Sequence, residues 1–69
     1  MNEKILRAVF AYSGINQATI ARAIGMSPQN FGRRVSRNTF SDDELEKIAE
    51  VIGAKFCPAK FVFPDGREF

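Results

Sequence analysis

The feature that most constrains the fold is a pair of short amphipathic segments joined by residues 25–28, which read Gly-Met-Ser-Pro. Glycine adopts the left-handed backbone of a helix end at little cost, so the first segment is predicted to end at Gly25. Ser27 can cap a second helix, and Pro28 fits its first turn because an N–H would have no partner there. The sequence therefore predicts two successive helices, over about 17–24, with Asn16 as the N-cap, and over about 28–36.

A further helix is predicted on each side of this pair. The first covers about 3–12, with Asn2 as its N-cap, apolar residues at i,i+4 spacing and a Ser-Gly pair that ends it. The last covers about 42–52, where residues 41–44 have the spacing of a capping box and place acids at the positive end of the helix dipole. Four helices are therefore expected in a single domain of residues 1–69.

The tail changes from helical to strand-like spacing. Phe61 and Phe63 alternate with Lys60 and Val62, and residues 64–66, Pro-Asp-Gly, suit a tight turn with a glycine bulge. A short hairpin is therefore predicted over about 59–69, and Pro58 is expected to cap or kink its first strand, or to keep it at an edge. The predicted fold class is mainly α, with four helices and a short C-terminal β-hairpin.

Length and composition limit the class of protein. A chain of 69 residues with 45% hydrophobic and 26% charged residues is typical of one globular domain. It contains no apolar run near the ~20 residues that a membrane-spanning helix needs. No small-residue cleavage pattern follows the apolar residues near the N-terminus, so no signal peptide is predicted and a cytoplasmic location is expected.

Side chains that catalyse reactions or bind metals are scarce. The sequence has no histidine and one cysteine, Cys57, which argues against a disulfide framework, a structural zinc site and most nucleophilic or acid–base catalysis. Cys57 is expected to be a small buried apolar residue rather than a redox sensor. We predict no enzymatic activity, no catalytic residue, no cofactor and no metal. A small-molecule ligand is not expected either, because the chain is too short for a separate ligand-binding domain.

The charges are distributed unevenly along the chain. Residues 1–40 carry six basic side chains and one acidic side chain, whereas residues 41–69 carry four basic and seven acidic ones. A one-sided basic surface is typical of proteins that bind a polyanion, although a solvated mixed surface can give the same pattern.

Residues 17–31 resemble the helix-turn-helix of the phage repressor/Cro (XRE-like) family. The shared features are a glutamine that opens the first helix, a small residue at the helix crossing, a glycine in the turn, an apolar residue that fills the turn and a serine that caps the second helix. These residues are Gln17, Ala21, Gly25, Met26 and Ser27. The resemblance covers about residues 3–53 and implies a four-helix repressor-like domain, and the tail resembles that of small single-domain members ending in a hairpin.

The second helix of the motif departs from the family pattern at one place. The family commonly has an apolar residue three places after the position of Phe31, whereas this chain has Arg34 there and the apolar Val35 next to it. The recognition helix is therefore expected to be rotated or extended slightly. Gly32 costs about 1 kcal/mol relative to alanine in mid-helix, which indicates either a close approach at this position or simply a weak helix.

The opposite face of this helix is polar and basic, without an acid, when Phe31 and Val35 are turned inward. Gln29 can pair with N6 and N7 of adenine, and Arg33 with O6 and N7 of guanine. The predicted base-reading residues are Gln29, Arg33, Ser27 and Asn30. The predicted phosphate-binding residues are Gln17, Arg34, Ser36, Arg37 and Asn38, and the family resemblance also implies this role for Gln17.

The resemblance implies sequence-specific binding of double-stranded DNA by a transcriptional regulator, a repressor of phage, prophage or mobile-element type. The alternative is a protein-interaction module without its own DNA specificity, as in antitoxin-like partner binding. A homodimer is favoured, because one small module makes few operator contacts and a two-fold pair would place recognition helices about 34 Å apart. The C-terminal strand could join the two chains, or the phenylalanines of the tail could cover the chain's own core.

Overall fold

Four helices and a short antiparallel hairpin follow one another in the computed structural model, which describes residues 2–57 and 60–69. The elements are α1 (Glu3–Ser13), α2 (Gln17–Ala23), α3 (Pro28–Arg37), α4 (Asp42–Val51), β1 (Lys55–Cys57) and β2 (Lys60–Val62). The predicted fold class is confirmed. Each helix in the described ranges is too short or too polar to span a bilayer.

The helices begin at the caps that the sequence indicates, and their ends differ from the predictions by one residue. Each N-cap side chain accepts a hydrogen bond from a backbone N–H of the first turn; the caps are Asn2, Asn16, Ser27 and Ser41. Helix α1 includes Ser13 because the left-handed residue that ends it is Gly14, with φ of 74°. Helix α3 includes Arg37 because Asn38 takes the left-handed conformation, with φ of 55°.

The core lies where the four helices and the hairpin meet. Phe31 of α3 is fully buried, and its ring centroid lies 5.7 Å from that of Phe10 and 5.2 Å from that of Phe40. Since Phe10 belongs to α1 and Phe40 to the loop before α4, two other parts of the chain fix the inner face of α3. The buried apolar side chains are Leu6, Val9, Phe10, Ile20, Ala21, Phe31, Val35, Leu45, Ile48, Ala49, Ile52, Phe61 and Phe63.

The paired strands begin earlier than the predicted hairpin. In the register, Lys55 faces Val62, Phe56 faces Phe61 and Cys57 faces Lys60. Strand β1 was not predicted, because three residues are too few to show an alternating pattern. The predicted second arm is present but short: Val62 bridges Glu68, Phe61 and Phe69 exchange backbone hydrogen bonds at 3.1 and 2.9 Å, and the N–H of Phe63 donates to the carbonyl of Arg67 at 2.8 Å. Pro58, expected to cap or kink a strand, lies outside the described residues, as does Ala59 at the start of the predicted hairpin.

The aromatic residues of the tail pack on the core of their own chain. Phe61 is fully buried and Phe63 is buried, while Phe56 and Phe69 are partly buried against the same cluster. The tail therefore covers the core of its own chain, and its role in joining two chains stays a prediction. The prediction that Cys57 is buried is wrong: it is exposed, because it lies with Lys55 on the outer face of β1.

Candidate nucleic-acid interface

Helix α3 has one buried face and one exposed face. Phe31 and Val35 are both fully buried, as predicted from their spacing. Gln29, Arg33 and Ser36 are exposed on the other side of the helix. The exposed face thus combines a side-chain amide, a guanidinium and a hydroxyl, and no acidic residue of α3 interrupts it.

The turn between α2 and α3 is held by short backbone contacts. Gly25 has φ of 81°, in the left-handed region that favours glycine. The N–H of Met26 then donates to the carbonyl of Ala21 at 2.8 Å, and Ala21 is fully buried where α2 packs against α3. At the start of α3, Ser27 Oγ accepts a hydrogen bond from the N–H of Asn30 at 3.2 Å. The predicted turn therefore fixes the angle at which α3 leaves α2.

Two of the four predicted base-reading side chains are exposed and form no ion pair within the described residues. Gln29 is exposed, and Arg33 is exposed and forms no ion pair within the described residues. The other two lie at the start of the helix: Ser27 is exposed and already caps α3, and Asn30 is half-buried. The structure thus brings all four side chains to the first two turns of α3.

Arg34 is in a different situation from its neighbours on α3. Its Nη1 donates to Glu44 Oε2 at 2.5 Å, and the two side chains are 35% and 25% exposed. The ion pair lies between α3 and the first turn of α4, at the position where the family pattern has an apolar residue. Arg34, predicted to bind phosphate, therefore also joins the two helices.

The carboxylate of Glu44 is anchored by the cap of α4. Its Oε1 accepts a hydrogen bond from the N–H of Ser41 at 2.9 Å, while its own N–H donates to Ser41 Oγ at 3.2 Å. The hydrogen bond from the backbone of Ser41, with a further contribution from Arg34, holds the pKa of Glu44 below its ordinary value of 4.5. Glu44 is therefore ionised at neutral pH and its position is set by the predicted capping box.

Sequence reasoning missed Glu44 as part of this surface. The sequence pattern places Glu44 only in the capping box, because the ten residues that separate it from Arg34 correspond to no helical or strand repeat. A contact across the loop between α3 and α4 leaves no periodic signal. The one available sign was Arg34 itself, a charged residue where the family pattern is apolar.

The remaining predicted phosphate contacts lie at two sites. Gln17 begins α2 and lines a surface groove together with Arg7 and Asn16. Ser36 and Arg37 are exposed in the last turn of α3. Asn38 follows as its C-cap, and its N–H donates to the carbonyl of Val35 at 3.2 Å.

Gly32 has no structural neighbour that requires a glycine. A Cβ atom built at this position would meet nothing within 4 Å. Of the two explanations, a close approach within the described part of the chain is not seen, whereas a weak helix fits, because glycine lowers the helix propensity of α3 here without a packing reason.

The described residues hold no group of three or more histidine, cysteine, aspartate or glutamate side chains that could bind a metal ion.

The family model described as an antitoxin Xre-like helix-turn-helix domain matches residues 4–53, which include all four helices except one residue at the start of α1. No curated protein and no solved structure matches the chain. The match covers most of the sequence and includes α2, the turn that follows it and α3 with its exposed face. The chain therefore belongs to the Xre-like helix-turn-helix family of DNA-binding regulators.

Proposed function

We propose that this chain is a sequence-specific transcriptional repressor that places α3 in the major groove of DNA. The observation that carries the proposal is the exposed face of α3, which has hydrogen-bonding and basic side chains and no acid. In this arrangement Arg33 pairs with a guanine and Gln29 with an adenine, since these pairings match the groove edges of the bases. Ser27 and Asn30 contact neighbouring bases or backbone at the N-terminal end of the helix.

Phosphate contacts on both sides of the groove position the helix without reading sequence. Gln17 contacts one strand from the start of α2. Ser36, Arg37 and Asn38 contact the other strand from the end of α3. Helix α4 begins only four residues after Asn38 and is acidic in its first turn, so the DNA-facing surface ends there.

The chain acts as a homodimer on a two-fold site, in which two copies of α3 enter successive major grooves about 34 Å apart. Strand β2 pairs with β1 on one side and with residues 67–69 on the other, so the outer edge of β1 is the edge available to a second copy. Sedimentation of the protein with and without DNA tests this. A monomer under both conditions at high concentration would exclude the dimer.

Fluorescence anisotropy on a random duplex at two salt concentrations tests DNA binding, followed by selection of bound duplexes from a random pool. We expect affinity that falls steeply with salt and a selected sequence with two-fold symmetry. Selected duplexes without a common sequence would contradict base reading.

A second candidate function is binding of a partner protein, as in an antitoxin, because the matching family model is described by that word. The two candidates differ in one result. A chain that binds no random duplex even at low salt is an interaction module, whereas salt-dependent binding supports the repressor. The phage, prophage or mobile-element setting of the repressor rests on the family resemblance.

A further inference from the structure

Arg34 lies at the border between the exposed face of α3 and the first turn of α4, in contact with Glu44. The two charges are 2.5 Å apart and each side chain is about two thirds or more covered by protein, at 35% and 25% exposed. Water and salt screen such a pair less than a fully exposed one. The positive charge of Arg34 is therefore largely neutralised before any DNA arrives.

Glu44 does not depend on Arg34 for its position. The N–H of Ser41 holds one carboxylate oxygen at 2.9 Å, and Arg34 contacts the other. Because the capping box already fixes the side chain, Glu44 loses little conformational entropy when it pairs with Arg34. It is thus a preorganised acceptor for the guanidinium of Arg34.

The neighbouring arginines of α3 have no such acceptor. Arg33 and Arg37 are exposed and form no ion pair in the part of the chain that the structure describes. Of the three arginines of α3, Arg34 is thus the one that is held in an ion pair within the described residues. A phosphate contact by that side chain would add affinity for every DNA sequence alike.

Building on the DNA binding proposed above, we propose that Glu44 is a built-in competitor for DNA phosphate: by holding Arg34, it lowers the affinity for DNA of any sequence. Glu44 touches no base in this account. It acts through Arg34 as a positioning residue, and it leaves the choice of sequence to Gln29 and Arg33.

The variant Glu44→Gln tests this, because a glutamine oxygen can still accept the hydrogen bond from Ser41 while the charge is removed. Anisotropy on a random duplex should show a slope of log affinity against log salt that is steeper by about 0.9, the effect of one added phosphate contact. The gain in affinity should accordingly be about threefold larger at about 50 mM salt than at about 200 mM.

Two controls separate this effect from a general change of charge. Glu46→Gln removes the same charge from the same helix, and Glu46 is exposed and outside every ion pair within residues 2–57 and 60–69. It should leave the slope unchanged. In the double variant Arg34→Ala/Glu44→Gln the gain should disappear, because the released guanidinium is no longer present.

Equal changes of the salt slope for Glu44→Gln and Glu46→Gln would overturn the inference. A gain in DNA affinity that persists in the double variant, which lacks Arg34, would overturn it as well. The single variant Arg34→Ala gives a second test that does not alter the capping box: its slope should equal that of the wild type, and a loss of about 0.9 would mean that Arg34 already contacts phosphate. If the wild type binds DNA and Glu44→Gln has the same affinity and the same salt slope, this inference fails while the proposed DNA binding stands. Failure of both proteins to bind DNA at low salt would overturn the proposed function as well.

Discussion

The phenol of Tyr12, in the last turns of α1, donates a hydrogen bond to a carboxylate oxygen of Asp65, which lies 53 residues later in the C-terminal turn. The Tyr12 ring also lies 4.8 Å from the ring of Phe63 and 5.3 Å from that of Phe69. The guanidinium of Arg67 lies 5.6 Å from the centre of the Tyr12 ring. The tail is therefore fastened to the first helix by a polar contact at the rim of an aromatic cluster.

Removing the hydroxyl should loosen the tail in a pH-dependent way. The hydrogen bond from Tyr12 lowers the pKa of Asp65 below its ordinary 3.8, and the same bond raises the pKa of Tyr12 above 10.0. A lowered carboxyl pKa contributes stability above the ordinary value, and that stability is lost as the pH falls through the folded value.

Thermal melts should therefore show Tyr12→Phe below the wild type at about pH 7, with a gap that narrows at about pH 3. Tyr12→Ala should melt lower than Tyr12→Phe at both values, since it also removes the ring contacts with Phe63 and Phe69. Equal melting temperatures for Tyr12→Phe and the wild type at neutral pH would contradict the role of the hydroxyl.

Phe61 should be essential for stability because the tail covers the chain's own core. It is fully buried, and its ring lies 5.2 Å from that of Phe56 across the hairpin. Phe61→Ala should cost about 3–5 kcal/mol in the free energy of unfolding, much of what a domain of this size has. Phe61→Leu should cost less, because it keeps most of the buried volume.

Chemical denaturation at several protein concentrations measures this cost and its origin. A loss that is the same at every concentration places Phe61 in the core of one chain. A wild-type stability that rises with concentration, together with a loss that vanishes in dilute protein, would place it in an interface instead.

Replacing Gly32 with alanine should stabilise the protein. Since a Cβ atom at this position meets nothing within 4 Å, Gly32→Ala should raise the free energy of unfolding by about 1 kcal/mol through helix propensity. Gly25→Ala is the matched contrast: with φ of 81° at Gly25, a side chain should cost about 1–2 kcal/mol. Denaturation of the two variants checks both signs, and destabilisation by Gly32→Ala would mean that the position is more crowded than the structure indicates.

Glu44 should contribute to stability at neutral pH but not in acid. Its pKa lies below 4.5 because Ser41 and Arg34 favour the charged form, so the contribution is present above that value and is lost as the pH falls through the lower folded pKa. Glu44→Gln should therefore be less stable than the wild type at about pH 7 and close to it at about pH 3. Glu46→Gln, which removes no ion pair within the described residues, should change little at either pH; an identical profile for the two variants would contradict the role of the ion pair.

The local signals in the sequence were sufficient for the helices and the turn. Capping at Asn2, Asn16 and Ser27 depends on a side chain and a backbone N–H three residues later, so the sequence carries the whole interaction. Gly25 likewise predicts the turn from the sequence, because few residues other than glycine adopt a φ of 81° at low cost. These same signals orient α3, so the candidate reading face could be predicted along with the fold.

Contacts between distant parts of the chain could not be predicted in the same way. The pairing of Arg34 with Glu44 and of Tyr12 with Asp65 follows from the packing of α3 on α4 and of the tail on α1. The exposure of Cys57 depends on a three-residue strand that has no periodic pattern of its own. In each case the contact or the exposure is set by tertiary structure, which single-residue preferences do not encode.

We expect Arg33 to read a base and Arg37 to bind a phosphate, and one set of titrations tests these two roles most directly. Wild type, Arg33→Ala and Arg37→Ala are titrated with the selected duplex and with a random duplex at the same salt concentration. Arg33→Ala should lose about 1–3 kcal/mol on the selected duplex, with one base preference relaxed and a smaller loss on random DNA. Arg37→Ala should weaken both duplexes similarly. Equal losses on the two duplexes for both variants would contradict the assignment of α3 as the reading helix.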